Sequence, residues 1–387
     1  MFQSVRMVIF FLLIFLLFIP HQTVLAQSLD KLNSPIVTLR IIETTDLHGY
    51  IFGYDYKNQK ETFEYGFART ATLIQRARNE VEQSLLFDVG DAIVGSAMAK
   101  HVYKSQLLRI PDIHPVYNVM NLLQYDAATL GNHEFNYGLD FLLTSLKSAQ
   151  FPIVCSNIVI DDVKQFSFDK INFFHPYHMI KKEVTDTNGN KHVLNIGVLG
   201  LITPVTAIWD YEHFQGKLKI KNITETAEQL VPVLKSKGAD VIIALVHAGL
   251  EADKDLKSLK GNSVIDLSRV KGIDAILYGH SHKLFPNSNI KSDRKEINFV
   301  TGTINGIPSI QAGKWGNHIG IIDLTLQKNN DNWEIIDYQT SLKSIYKTVN
   351  GKNYPVIPMD KKIIQTIRKL HEETVQSVKD GFIKVKK

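Results

Sequence analysis

Residues 36–49 read Ile-Val-Thr-Leu-Arg-Ile-Ile-Glu-Thr-Thr-Asp-Leu-His-Gly. An apolar, β-branched run thus ends abruptly in side chains that bind metals. Ile36 to Ile42 predicts a strand. In an extended continuation residues i and i+2 point to one side, so Asp46 and His48 are expected to grip one ion together. The same construction recurs. Leu85 to Val89 leads into Gly90-Asp91, and Ala127 to Leu130 into Gly131-Asn132-His133-Glu134. Val241 to Val246 ends in His247-Ala248-Gly249, and Ala275 to Tyr278 in Gly279-His280-Ser281-His282. Taken singly, each pair fits a surface polar pair or a satisfied core histidine. Five strand ends delivering such groups together would be costly to bury unless a metal or substrate satisfied them.

Between these runs, and the further strands Phe151 to Cys155 and Leu194 to Ile202, lie amphipathic stretches. Arg69 to Gln83, Leu139 to Ala149 and Thr224 to Lys237 read as helices. Strands that are apolar throughout suit a sheet covered on both faces. The alternation predicts an α/β layered domain from about Leu39 to Leu326, with ligands at the carboxyl edge of its strands. Asn188-Gly189 signals a hairpin between Lys181–Thr187 and Lys191–Ile202. Trp333 to Tyr338 predicts a late strand, and Asp360 caps an expected helix over Lys361 to Lys379. Cys155, the single cysteine of 387 residues, excludes an internal disulfide and reads as a small buried hydrophobe.

Arg6, the apolar run Val8 to Ile19 and Val24-Leu25-Ala26 follow the order of a secretory signal cleaved after Ala26. The run is too short to span a bilayer. An exported protein is therefore expected: periplasmic, cell-surface or secreted, with no membrane span once mature. The formal charge of +5 includes Arg6 and a lysine-rich tail, too mild a balance to argue for a nucleic-acid polymer.

The order Asp-x-His, Gly-Asp, Gly-Asn-His-Glu, His, Gly-His-x-His resembles the signature of the calcineurin-like metallophosphoesterases. Thr44 to Gly49 and Gly131 to Leu139 are similar to their 5′-nucleotidase group. His114-Pro115-Val116-Tyr117, Gly279 to Pro286 and Gly302 to Pro308 resemble its 2′,3′-cyclic-nucleotide 2′-phosphodiesterase/3′-nucleotidase branch. The resemblance implies a four-layer α/β/β/α sandwich and two divalent metal ions. Asp46, His48 and His282 would hold the first, Asn132, His247 and His280 the second, and Asp91 would bridge them. His133 would assist the leaving group, oriented by Asn136. Imidazole, carboxylate and amide donors without thiolate suit Mn, Zn, Fe or Co.

By the same resemblance, nucleotide or small phosphoester substrates are expected, with 5′-nucleotidase or low-selectivity phosphoesterase activity as the alternative. A non-catalytic metal-binding or surface-interaction protein is the alternative of another class. Residues 27–345 are expected to form the catalytic domain and 346–387 a linker-like helical segment, without the base-stacking C-terminal domain usual in the group. Asn136 stands where many 5′-nucleotidases carry aspartate, and an amide orients an imidazole without lending it charge. Tyr54, Tyr56 and Phe63 are expected to pack in the core. Trp315 sits in a loop near the site, and His318 is left unassigned.

Overall fold

The computed structural model describes residues 34–108, 113–161, 171–253, 260–290 and 293–385. The expected export signal over residues 1–26 lies outside them. The principal strands in chain order are Ile36–Thr44 (β1), Ser84–Asp88 (β2), Ala127–Ala128 (β3), Tyr177–Thr185 (β4), Lys191–Ile202 (β5), Val241–His247 (β6), Ala275–Tyr278 (β7), Ile307–Ala312 (β8), His318–Asn329 (β9) and Asn332–Ser344 (β10). One sheet runs β10-β9-β1-β2-β3, parallel from β1 to β3. The second runs β8-β7-β6-β5-β4, parallel from β8 to β5, with short strands beyond β8.

Each strand divides its side chains between two cores. Val241, Ile243 and Leu245 of β6 face Leu39, Ile41 and Leu85 of the other sheet. Ile242, Ala244 and Val246 face outward onto the helix Ile223–Ser236 through Ala227, Val231 and Leu234. Period-two alternation with both faces buried is why the run is apolar throughout. On the far side, Ile42 and Leu86 pack beneath helices Phe67–Asn79 (α1), Ala97–Lys104 (α2) and Pro115–Leu122 (α3). The layers are therefore α/β/β/α.

Several elements differ from the sequence expectation. Only Ala127 and Ala128 of the third run pair with β2. Phe151 to Cys155 makes isolated bridges, Ala128 to Ile153 and Val154 to His175, and no ladder. Pro152 in that segment has no N–H to give, and its carbonyl accepts from Ala128 instead. Helix α1 stops at Asn79, because Gln83 already belongs to the next strand's entry: its carbonyl accepts from Arg40 and its side chain donates to Thr185. The hairpin turn is built by Asp186, whose carboxylate accepts from the amides of Asn188 and Asn190, while Gly189 takes φ +84°. The last helix, Lys361–Lys379, starts at Asp360, which accepts from Ile363 N at 2.9 Å. Its Ile363 and Ile367 join the helical core over the first sheet. Cys155 is buried, and burial pushes its thiol up to about 12.

Candidate metal centre

The parallel strands end level with one another. Thr44 pairs with Asp88, Asp88 with Ala128, and Val246 with Tyr278. The loops leaving those ends converge at one edge of both sheets. They converge through strained backbone: Asp46, His48, Asp91, His280 and His282 have φ of 52°, 49°, 56°, 74° and 58°. Left-handed φ is uncommon outside glycine, and each such residue costs on the order of 1–3 kcal/mol. Asp46 and His48 therefore meet through a left-handed turn, not through the extended segment the sequence suggested. Hydrogen bonds lace the turn to its neighbour, from Asp46 N to Gly90 O at 3.0 Å and from His48 N to Asp91 O at 2.7 Å. A Cβ at Gly131 would collide with Asp91 Oδ1, which is why that position carries glycine.

The expected ligands come together. One atom each from Asp46, His48, Asp91 and His282 lies within 4.8 Å of the others. His282 Nε2 is 3.2 Å from Asp46 Oδ1 and 3.1 Å from His48 Nε2. His247 Nε2 is 3.1 Å from Asp91 Oδ2, and His280 Nδ1 is 2.9 Å from Asn132 Oδ1. His133 stands at the rim, its ring 5.1 Å from that of His48 and its backbone N–H donating to Asp91 Oδ1 at 2.7 Å. Its Nδ1 is 2.6 Å from Asn136 Oδ1.

The charges are set by the same geometry. Burial opposes ionisation of Asp91, yet His247 and His48 hold its carboxyl far below the usual range. Asp46 is likewise lowered, its burial outweighed by His282, His247 and His48. Burial alone would depress His247, but Asp91 overrides it and raises the imidazole. His48 is lowered, chiefly by burial.

Cations fit this donor set. Asp46 Oδ1 and His247 Nε2 are buried and make no hydrogen bond within the protein, which is costly for a polar atom that nothing else satisfies. His247 Nδ1 lies 2.7 Å from Val89 O, and His48 Nδ1 lies 2.7 Å from Val94 O. A carbonyl only accepts, so each Nδ1 carries hydrogen and each Nε2 is turned to the centre as a ligand atom.

Four contributors were not assigned from the sequence. Glu134, part of a motif that drew attention, accepts the amides of Asp91 and Gly131 on one oxygen and those of Ala92 and Ile93 on the other, at 2.6–3.2 Å. Asp253 Oδ1 is 3.0 Å from His280 Nε2. Asp210 accepts from Asn136, and Trp209 stacks on the His280 ring at 5.8 Å. No sequence signal marks the last three, because each lies far along the chain from its partner and outside any strand end.

The aromatic residues of the first loop are structural. Tyr56 OH is 2.8 Å from His371 Nδ1, and Tyr54 packs edge-on to both rings. Phe63 lies under the Arg69 guanidinium. Trp315 N donates to Asp46 O at 2.7 Å, while His318 packs near Tyr346 and away from the cluster.

The profile of the Calcineurin-like phosphoesterase family matches residues 39–284, a span holding every residue of the cluster. A curated 2′,3′-cyclic-nucleotide 2′-phosphodiesterase/3′-nucleotidase from Salmonella typhimurium is 40% identical over 356 residues, covering 92% of this chain and 53% of its own length. The trifunctional nucleotide phosphoesterase protein YfkN of Bacillus subtilis is 40% identical over 354 residues, covering 90% of this chain and 23% of its own. The chain thus spans about half the length of the first relative and less of the second. A crystal structure of calcineurin-like phosphoesterase YfkN from Bacillus subtilis superposes with a TM-score of 0.80 at 38% identity, over 89% of this chain and 100% of that one. Fold, ligand cluster and profile agree, and this chain belongs to the calcineurin-like phosphoesterase family.

Proposed function

We propose that the chain is an exported hydrolase of phosphoric esters that carries two divalent cations and acts on 2′,3′-cyclic nucleotides and then on 3′-nucleotides. The observation that carries this reading is the buried cluster of Asp46, His48, Asp91 and His282, with Asp46 Oδ1 and His247 Nε2 otherwise unsatisfied. The substrate class rests on the printed activities of the relatives at 38–40% identity. Residues 27–345 are the catalytic unit on this reading and 346–387 a helical segment that follows it.

Asp46, His48 and His282 would hold one cation, Asn132, His247 and His280 the other, and Asp91 both; Mn, Zn, Fe or Co suits the donors. When bound, such a pair supplies Lewis-acid charge stabilisation and an activated water for in-line displacement. His133 gives a proton from Nε2 to the departing ribose oxygen, help typically worth about 10²–10⁴-fold. Asn136 holds the ring by its other nitrogen.

The test compares 2′,3′-cyclic AMP, 3′-AMP, 5′-AMP and bis-p-nitrophenyl phosphate on protein loaded with Mn²⁺ or Zn²⁺. Turnover should require metal and favour the cyclic ester over 5′-AMP. Asp91→Ala should cost more than about 10²-fold, since even outer partners of a metal cost 10–100-fold. No turnover of any ester by folded, metal-loaded protein would rule the proposal out.

A further inference from the structure

Asn136 lends no charge to His133, but it does not act alone. Its Nδ2 lies 3.0 Å from Asp210 Oδ1 and 3.2 Å from Asp210 Oδ2, so one amide group faces both carboxylate oxygens. A carboxylate can only accept, so the amide must turn its NH₂ toward Asp210 and its oxygen toward His133. The oxygen there, 2.6 Å from His133 Nδ1, accepts the hydrogen that Nδ1 must then carry.

The placement of Asp210 is not explained by its own backbone. It stands at the N-cap of the short helix Tyr211–Phe214, where aspartate ordinarily accepts the amides of the first turn, yet it makes no capping bond. Its carboxylate is spent on Asn136 instead. The segment is pinned on both sides: Phe214 packs on Phe135 at 4.8 Å, and Trp209 stacks on His280 at 5.8 Å and 26°. Asp210 N donates to Thr206 O at 2.9 Å. The carboxylate is therefore held at a fixed point, with 9% of the residue exposed.

We propose that Asp210 is a positioning residue which, through the Asn136 amide, fixes the His133 imidazole with hydrogen on Nδ1 and Nε2 directed at the leaving oxygen. This rests on the reading of His133 as the group that assists departure. The proton given up comes from Nε2, and the ring left behind is the neutral Nδ1–H form that Asn136 already accepts. Without the carboxylate, the Asn136 amide can present either end to His133, and the ring loses its preference between two tautomers.

Asp210→Asn, close in shape and able to donate or accept, is the direct test. On 2′,3′-cyclic AMP we expect kcat to fall about 10-fold, within the range set for general acid help, with KM within about two-fold. Such a pattern marks an interaction used only in the transition state. The loss on bis-p-nitrophenyl phosphate should be smaller, because p-nitrophenolate departs with little need of a proton. Asn136→Ala and the double variant should lose no more together than the larger single loss. A second readout needs no turnover. Nitrogen NMR of ¹⁵N-histidine-labelled protein, with His133 assigned by its loss in His133→Gln, should report the Nδ1–H tautomer in the parent chain and a mixture in Asp210→Asn. Equal losses on both esters would overturn the proposal, as would a parent His133 carrying hydrogen on Nε2. If no ester is turned over at all, the functional reading fails, while the NMR still decides what Asp210 does.

Discussion

Glu134 touches neither substrate position nor ligand side chain, yet its two oxygens gather four backbone amides from the loops at Asp91 and Gly131. Those amides are buried with the loops that present Asp91 and Asn132. Glu134→Gln exchanges an acceptor oxygen for an NH₂ that confronts donors, leaving at least one amide unpaired at a cost of about 1–3 kcal/mol. The expected result is a lower denaturant midpoint and metal affinity reduced about 10–100-fold, as for other outer partners of a metal site. An unchanged midpoint together with an unchanged metal titration would count against this role. The residue was visible in its motif, but its work was not, because a carboxylate beside histidines reads first as a ligand. Asp210 and Asp253 were invisible for another reason. Their partners Asn136 and His280 are brought to them by the fold, and no local spacing records that.

At the scale of single elements, the strands were the most legible part. A run buried on both faces has no polar option, so Val241 to Val246 could be read directly, and β6 extends it by one residue to His247. Helix ends were less so. α1 begins at Phe67 because Gly66 N and Trp315 O hold its entry, a contact between residues far apart in sequence. Helix α3 was not foreseen, and its start is unusual: His114 caps it, Nδ1 accepting from Val116 N at 3.3 Å, while Nε2 is buried without a partner. Burial drives this imidazole down to about 3. Between that value and the ordinary histidine value near 6.5 the unfolded chain binds a proton that the folded chain refuses. Folding stability from this site is thus full above about pH 6.5 and is lost as pH falls toward 3, at up to about 1.4 kcal/mol per unit. His114→Asn keeps a good cap and removes the titration. Urea midpoints measured from pH 7 to 4 should fall less steeply in the variant; parallel slopes would sink the assignment.

For the whole molecule, the α/β/β/α layering and the edge that carries the site followed from the alternation of strands with helices. Which strands share a sheet did not. β1 and β9 pair antiparallel across nearly the full chain length, through a register no periodicity reports. The division matters, because Asp46, His48, Asp91 and Asn132 leave the first sheet while His247, His280 and His282 leave the second. Bound cations would couple the two sheets as well as serve chemistry. A ligand at 100 times its dissociation constant stabilises the folded state by about 2.7 kcal/mol. Chelation should therefore lower the melting temperature, and restoring Mn²⁺ or Zn²⁺ should raise it again, more than Ca²⁺ does. A melting curve indifferent to chelator would mean the cluster holds no ion strongly. No helix among the described residues is long and apolar enough to cross a membrane.

The division of ligands between the two sheets also places the site in time. A nascent chain that has reached Asn132 owns four of the seven candidate ligands and can hold them only loosely, with the opposing histidines still unmade. At about 5–20 residues per second, on the order of ten seconds of synthesis separate Asn132 from His282. Metal capture is then a late event, reserved for chains complete past His282. A polypeptide stalled earlier would compete poorly for scarce ions.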